Sequence, residues 1–400
     1  MKQNVAILDL GTSKITVLIG SHGANGSICI DGIARCDYAG YCGGTWFEPE
    51  FLGDAIERAL NVAMERAQLK INKLYVGVPG DFLLCETNEV TISLNKKRRV
   101  TDNDVETLYN QGNIYDYPDW TAVNVQPVYY TLDDDRKLIM PVGMTTTRLG
   151  GLISYILAKD EFIDVIGTAV CAAGVEQVEF VAAPLAEMLF LFDDYKRDRC
   201  VMLADVGALS TTLTIGRGDG ICRQYYFPWG GGRITLALEE ALKIPRREAE
   251  KLKRHVILSL DPEYKIKSGE AGGFVMTEYS VEIDNEVHRY PVAAVNDVVK
   301  NEIRKFALYT EKALKVCDYE YPEFTPLCIT GGGLNHIRGA AEWLSTLISR
   351  SVEAVNPSLP LLDIPQMSSS LGLLDMVLSS EAQDVGIAGR IRRLFSKRNK

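Results

Sequence analysis

Apolar and polar positions along the chain change period several times, and each change marks an element. Residues 5–10, 15–20 and 27–34 are short apolar or alternating runs separated by glycine-containing turns, which predicts three strands. Residues 50–69 carry apolar side chains at 51, 52, 55, 56, 59, 60, 62, 63, 67 and 69, the period of a helix with one buried face. A strand follows at 74–78 and Pro79-Gly80 ends it. Between 81 and 160 short β-rich runs at 90–94, 123–132 and 153–158 surround one helical candidate, 101–111. Thr101-Asp102 supplies the cap of that helix, and Asp104 and Glu106 its acidic first turn. This stretch reads as an inserted unit. A helix at 160–173, a strand at 175–181 and a helix at 184–192 complete the first half.

The opening pattern then returns. Residues 8–20 read LDLGTSKITVLIG and residues 204–216 read ADVGALSTTLTIG. In each, an Asp closes an apolar run, a Gly stands two residues later, and a second Gly lies eleven residues after the Asp. Both continue into a further strand-like run, 27–34 and 220–227. The second half goes on with helices at 234–242, after three glycines, and at 246–255, after Pro245. A polar, mixed stretch covers 259–300. A helix at 296–316, a strand at 327–330 running into Gly331-Gly332-Gly333, and helices at 336–349 and 368–378 follow. A small, polar linker at 379–385 leads to a basic end.

Four hundred residues with 46% hydrophobic and 24% charged side chains suit two lobes of ordinary domain size. No window approaches the roughly 18 unbroken apolar residues that span a membrane. The N-terminal run is interrupted by Asp9 and Lys14 and alternates like a strand, so it does not read as a signal peptide. The nine cysteines, at 29, 36, 42, 85, 171, 200, 222, 317 and 328, form no C-x-x-C pair and read as reduced core thiols. The formal net charge is −10, which argues against nucleic acid as a partner. The charge is uneven: residues 386–400 carry six basic side chains and no acid.

The candidate chemistry lies in three glycine-rich turns, 9–14, 205–211 and 331–335, each after a short apolar strand. A hairpin turn with Asp and Gly can hold a phosphate and its metal: glycine lets backbone N–H groups approach phosphate oxygens, and Asp positions a hydrated Mg²⁺. Such a turn is also simply how hairpins reverse; the matched pair favours two similar lobes closing on one nucleotide. There is no G-x-x-x-x-G-K-[ST] element, and no G-x-G-x-x-G between a strand and a helix, so neither a P-loop nor a dinucleotide fold is expected.

On these residues the chain resembles the actin/Hsp70/sugar-kinase superfamily. ILDLGTSKI is similar to its first phosphate loop, DVGALSTT to its second, and ITGGGLNHIRG to its adenosine loop. Within the superfamily it resembles the FtsA family of bacterial actin-like cell-division proteins. Pro141-Val142-Gly143 with Arg148-Leu149, FPWGGGRIT, REAEKLK and SSLGLLDM carry that further likeness. The resemblance runs from residue 4 to the C-terminus and is weakest over 256–296.

It implies an α/β actin-like fold: two duplicated RNase H-like lobes around a nucleotide cleft. The first lobe would take 1–80 and 161–198, with 81–160 inserted. The second would take 199–228 and 301–378, with 229–300 as its subdomain. The implied ligands are ATP and Mg²⁺. Asp9 and Asp205 would hold the Mg²⁺ through water. Gly11, Thr12, Ser13 and Lys14 would face Gly207, Ser210 and Thr211 across the phosphates. Gly331, Gly332 and Gly333 would lie against the adenine, and Glu250, Lys253 and Arg254 against ribose and base. These last three also fit a solvated helix face. No catalytic residue is assigned.

Two departures from the family pattern bear on turnover. Ala208 and Leu209 replace glycines of the second loop and Thr212 replaces its last Asp. Ala183 stands where many relatives place a water-orienting Glu or Gln before Pro184; Glu187, one helical turn on, is a weak substitute. At most a weak ATPase is expected.

In the tail, Ile387, Ile391, Leu394 and Phe395 form one helical stripe, flanked by Arg390, Arg392, Arg393 and Lys397. That composition suits a helix lying on an anionic membrane, or a solubilising end. The resemblance implies an adaptor at the cytoplasmic face of the cell membrane, peripheral, at the division site. Its partners would be anionic lipids, further copies of itself in filaments, and the C-terminal peptide of FtsZ. A pilus-assembly-type scaffold with little nucleotide use, and a small-molecule kinase of the same superfamily, are the rival readings.

Overall fold

The computed structural model describes residues 4–23, 26–38, 40–258, 265–266, 274–275 and 277–382. The tail from 386 onwards, with its candidate membrane residues from Ile387 to Lys397, lies outside the described residues.

Each lobe is built on a five-stranded sheet of the same plan. In the first, Val5–Leu10 is central. Lys14–His22 and then Ile28–Asp37 follow antiparallel on one side, and Lys73–Val78 and Gln177–Ala182 parallel on the other. In the second, Val201–Val206 is central. Thr211–Arg217 and Gly220–Phe227 are antiparallel on one side, and Leu327–Thr330 and Val352–Ala354 parallel on the other. The central strands are apolar on both faces, as strands covered by helices on both sides must be. The duplication expected from two short sequence runs extends to whole lobes.

Most expected helices form where the apolar period places them. Leu52–Ala67 buries Leu52, Ala55, Ile56, Ala59, Leu60 and Ala63, one face at i, i+3, i+4 and i+7 spacing, and stops where Gln68 turns left-handed. The inserted unit is a four-stranded sheet of Leu83–Arg99, Thr145–Lys159, Trp120–Thr131 and Lys137–Leu138, in that order, with the helix Asp102–Gly112 packed on it. It has a core of its own, in which Ile92, Leu108, Leu149 and Ile153 are buried. Thr101 and Asp104 form a reciprocal capping box at its helix. Leu83–Arg99 is far longer than the 90–94 run that was legible, because its ends alternate with charged, half-exposed side chains.

Two expected boundaries differ in the structure. The line between 300 and 301 falls inside one helix, Val292–Val316, whose buried face joins the second-lobe core. The last helix, Ser368–Ala382, continues through the first residues of the expected linker. The resemblance puts it with the second lobe, yet Leu371, Leu373, Leu374, Val377 and Leu378 are buried against Val5, Ile7 and Leu18 of the first. Of the cysteines, 200, 222 and 328 are buried, while Cys171 is exposed. Among the described residues no helix is long and apolar enough to cross a membrane.

Candidate functional site

The two matched hairpins turn back in the same way. In the first, Asp9 pairs with Thr16, and the Gly11 N–H donates to the Lys14 carbonyl at 2.9 Å. In the second, Asp205 pairs with Thr212, and the Gly207 N–H donates to the Ser210 carbonyl, again at 2.9 Å. Each central strand therefore delivers one carboxylate to the mouth of a glycine turn. The two turns face one another across a cleft of about 540 Å³. They also touch, since the Leu209 N–H donates to the Thr12 hydroxyl at 3.1 Å, and the Ser210 hydroxyl donates to Asp81, after the strand Lys73–Val78, at 3.3 Å.

The third glycine run closes the cleft wall. Leu327–Thr330 lies parallel to the strand of Asp205, with Thr330 beside it. Gly331 then turns left-handed at φ +82°, and a Cβ there would stand 2.2 Å from an Asp205 carboxylate oxygen. Only glycine satisfies both conditions. The Gly333 N–H reaches the Val206 carbonyl at 2.7 Å. The Gly231 and Gly232 N–H groups, at the start of Gly231–Leu242, take the carbonyls of Gly207 and Ala208 at 2.9 and 2.8 Å. Three loops thus pack backbone to backbone.

The cleft brings together Asp9, Gly11, Thr12, Ser13, Lys14, Asp205, Gly207, Ser210, Glu250, Lys253, Arg254, Gly331, Gly332 and Gly333. Thr211 is the exception. Its side chain is buried and its hydroxyl donates to the Trp229 carbonyl at 2.7 Å, so it braces the loop rather than facing the cleft. Leu209 lines the cleft beside Gly232, with Cδ2 3.6 Å from where a Cβ on that glycine would stand. The Thr212 side chain sits over Gly80, 2.2 Å from where a Cβ would be.

The floor is acidic. Asp9, Asp81, Glu187 and Asp205 all line it. Burial, reinforced by the Asp9 and Asp81 charges, pushes the Asp205 carboxyl up to about 7. Burial pushes Asp81 up to about 6, against the lowering effect of the Gly43 N–H and the Ser210 hydroxyl. Asp9 is raised by burial, partly offset by hydrogen bonds from Ser370 and Ser369. Glu187 is only 2% exposed, its Oε1 has no hydrogen-bond partner among the described residues, and burial with the charges of Asp205 and Asp9 pushes it well above its ordinary value.

Burying an ionised carboxylate is costly unless a cation or hydrogen bonds compensate it. Among the described residues no three acidic, His or Cys side chains gather closely enough to share one ion directly.

The opposite end is a locked ionic network. Glu250 accepts from the Thr235 hydroxyl at 2.6 Å, from Lys253 at 2.7 Å and from Arg254 at 3.1 Å. Lys253 is buried and also donates to the Gly231 carbonyl at 3.2 Å. Burial lowers its pKa, with further lowering by Arg254 and Arg246. The solvated-face alternative thus fails for Lys253, which is tied to the glycine loop. Glu250 is held down by Lys253 against the upward pull of its own burial.

Sequence reasoning left Asp81, Gln366 and Ser369 unassigned, although each lines the cleft. Their only local signals are the Pro79-Gly80 break and the serine run at 368–370.

Residues 80–156 match the family described as the SHS2 domain inserted in FtsA, which is the four-stranded unit above. The chain is 24% identical to the cell division protein FtsA of Escherichia coli K12 over 250 residues, 62% of this chain and 59% of that protein. It is 22% identical to FtsA of Buchnera aphidicola subsp. Baizongia pistaciae over 339 residues, 84% of this chain and 79% of that one. The E. coli match thus spans less than two thirds of that relative's length. Among solved structures, the PilM-PilN type IV pilus biogenesis complex superposes with TM-score 0.62 at 16% identity, covering 94% of this chain and 99% of that one. MreB5 of Spiroplasma citri bound to ADP gives TM-score 0.54 at 10% identity, covering 96% and 98%.

Duplicated lobes, a cleft between matched hairpins and an insert in the first lobe define an actin-like fold. Within that class the chain is similar to FtsA, and its residues 80–156 match the SHS2 domain inserted in FtsA.

Proposed function

We propose that this protein is an FtsA-like cell-division adaptor. It binds ATP between its lobes, assembles into actin-like filaments with the SHS2 unit at the contact, and holds FtsZ filaments on the cytoplasmic face of the membrane. The observation that carries this reading is the pair of hairpins with the same Asp, the same Gly and the same closing bond, facing one another beside an SHS2 insert.

The floor residues fit Mg²⁺ with a nucleotide. Asp9 and Asp205 would hold its water shell, and Glu187 offers an unpartnered oxygen beside them. The cation would supply charge neutralisation for the phosphates. Lys14 with the turn 11–13 binds from one lobe, and Gly207 with Ser210 from the other. The Glu250–Lys253–Thr235 network presents a fixed polar wall to the ribose side. No polar side chain stands immediately before Pro184 to orient water, because residue 183 is Ala, so slow turnover is expected.

The tail acts after assembly. Each apolar side chain adds at most ~1.5–3 kcal/mol on burial and each basic one about 1 kcal/mol at an anionic surface. Ordering so short a segment opposes both. A single tail then binds reversibly, and several on one filament bind tightly through effective concentration.

One observation favours a second reading. The Leu209 N–H, which a glycine-rich loop would offer to phosphate, is taken by Thr12. A pilus-type scaffold with little nucleotide use would have such a loop.

The test is co-sedimentation of FtsZ from the same organism with anionic liposomes, with and without this protein and Mg-ATP. The adaptor carries FtsZ into the pellet, and a version ending at Val385 does not. Protein in the pellet with FtsZ left behind overturns the partner and favours the scaffold.

A further inference from the structure

The two hydroxyls that hold Asp9 come from the other end of the chain. Ser369 donates to Oδ1 at 2.9 Å and Ser370 to Oδ2 at 2.5 Å. Both stand in the first turn of Ser368–Ala382, and Ser370 is fully buried.

That helix touches three parts of the cleft at once. The neighbouring Ser368 hydroxyl shares a 2.7 Å hydrogen bond with Thr330, the residue before Gly331. A Cβ on Gly372 would lie 2.7 Å from the Ala186 carbonyl, so the helix meets Ala183–Leu191, which carries Glu187, backbone to backbone. At its far end Glu381 bonds Lys73, at 3.2 Å, and Tyr75 in the first-lobe sheet. The seat of this helix is thus defined at both ends.

We propose that Ser369 and Ser370 are positioning residues for Asp9, and that through them the C-terminal helix is a working part of the cation site. This rests on the Mg-nucleotide reading above. A carboxylate that receives the water ligands of a hydrated cation must be correctly turned. Each carboxylate oxygen has about two acceptor sites. One serine bond per oxygen fixes the plane of the group and leaves a site on each oxygen for a cation-bound water. Coupling of this kind is reciprocal. If the helix seats Asp9 for the cation, the cation in turn stabilises the seated helix.

The experiment uses the full chain. Thermal unfolding, and hydrogen exchange over 368–382, are measured with ATP in EDTA and with ATP plus graded Mg²⁺. In the wild type Mg²⁺ raises the unfolding temperature and slows exchange in the helix. S369A/S370A keeps its response to ATP in EDTA but needs about tenfold or more Mg²⁺ for half the effect, as expected for lost hydrogen bonds to a charged group. S369T retains the hydroxyl and stays near wild type, which a purely structural role would not require. S369A alone, whose side chain faces the cleft, gives a severalfold rise and serves if the double variant does not fold.

A Mg²⁺ midpoint unchanged in the alanine variants overturns the inference, as does S369T behaving like S369A. If the wild type itself gains nothing from Mg-ATP, the nucleotide reading fails first. If the wild type gains and the variants match it, only this inference fails.

Discussion

Replacing Asp205 by Asn isolates the cost of the acidic floor. The Asp205 carboxyl is pushed from 3.8 to about 7, first by burial and then by the Asp9 and Asp81 charges. A folded-state pKa above the unfolded one means that the native protein holds a proton the unfolded chain has released. That contribution to stability is complete below about pH 4 and is lost as pH rises through about 7. A rise of that size corresponds to a stability difference on the order of a few kcal/mol. Asn keeps the shape without the charge. In EDTA and without nucleotide, D205N should therefore be more stable than wild type at pH 8, by up to that amount, and the two should converge near pH 4. Urea unfolding followed by tryptophan fluorescence from pH 4 to pH 8 measures the difference directly. Addition of Mg-ATP at pH 8 should reverse the order, because ligand binding stabilises only the form that can hold the cation. The reasoning is wrong if D205N is the less stable protein at pH 8 without ligand, or if the difference does not change with pH.

Other positions give equally direct tests. Gly331→Ala places a Cβ 2.2 Å from an Asp205 oxygen and 2.5 Å from the Val206 carbonyl, at φ +82°. The backbone alone costs about 1–2 kcal/mol and the clash adds more, so the urea midpoint should fall clearly. Lys253→Met leaves Glu250 half-buried without its main partner and should cost about 3 kcal/mol. The double variant with Glu250→Gln should recover part of that loss, which a double-mutant cycle by urea unfolding measures. In the SHS2 unit, Arg98 bonds both oxygens of Asp104 at 2.7 Å and holds its carboxyl below the usual range. Asp104→Ala should lower stability by about 1–2 kcal/mol at pH 7. Because the folded pKa is depressed, the stabilisation from Asp104 is present above about pH 4 and fades as the solution becomes more acid. Hydrogen exchange of 102–112 at pH 7 and pH 4 checks both points.

What the sequence determined by itself was local. An apolar run ended by Asp and followed by Gly can only turn, so 8–20 and 204–216 announced two hairpins and their matched register. The capping box at Thr101 and Asp104, the helix face of 52–67 and the glycine run after Thr330 were legible for the same reason: each is set by residues a few positions apart. The likeness to FtsA rested on these same local runs. Tertiary structure decided which groups share the cleft floor. Ser369 and Ser370 reach Asp9 across most of the chain. Among the described residues Glu187 Oε1 has no partner, and nothing in PLAEMLF indicates it. The resemblance puts the last helix with the second lobe, but its leucines pack against Val5, Ile7 and Leu18 of the first. The family resemblance makes Thr211 a phosphate ligand, yet the sheet turns its hydroxyl toward Trp229. Spacing along the chain fixes which way a turn bends. The approach of distant segments fixes burial, and burial sets the charge, pairing and pKa of the groups that would meet a ligand.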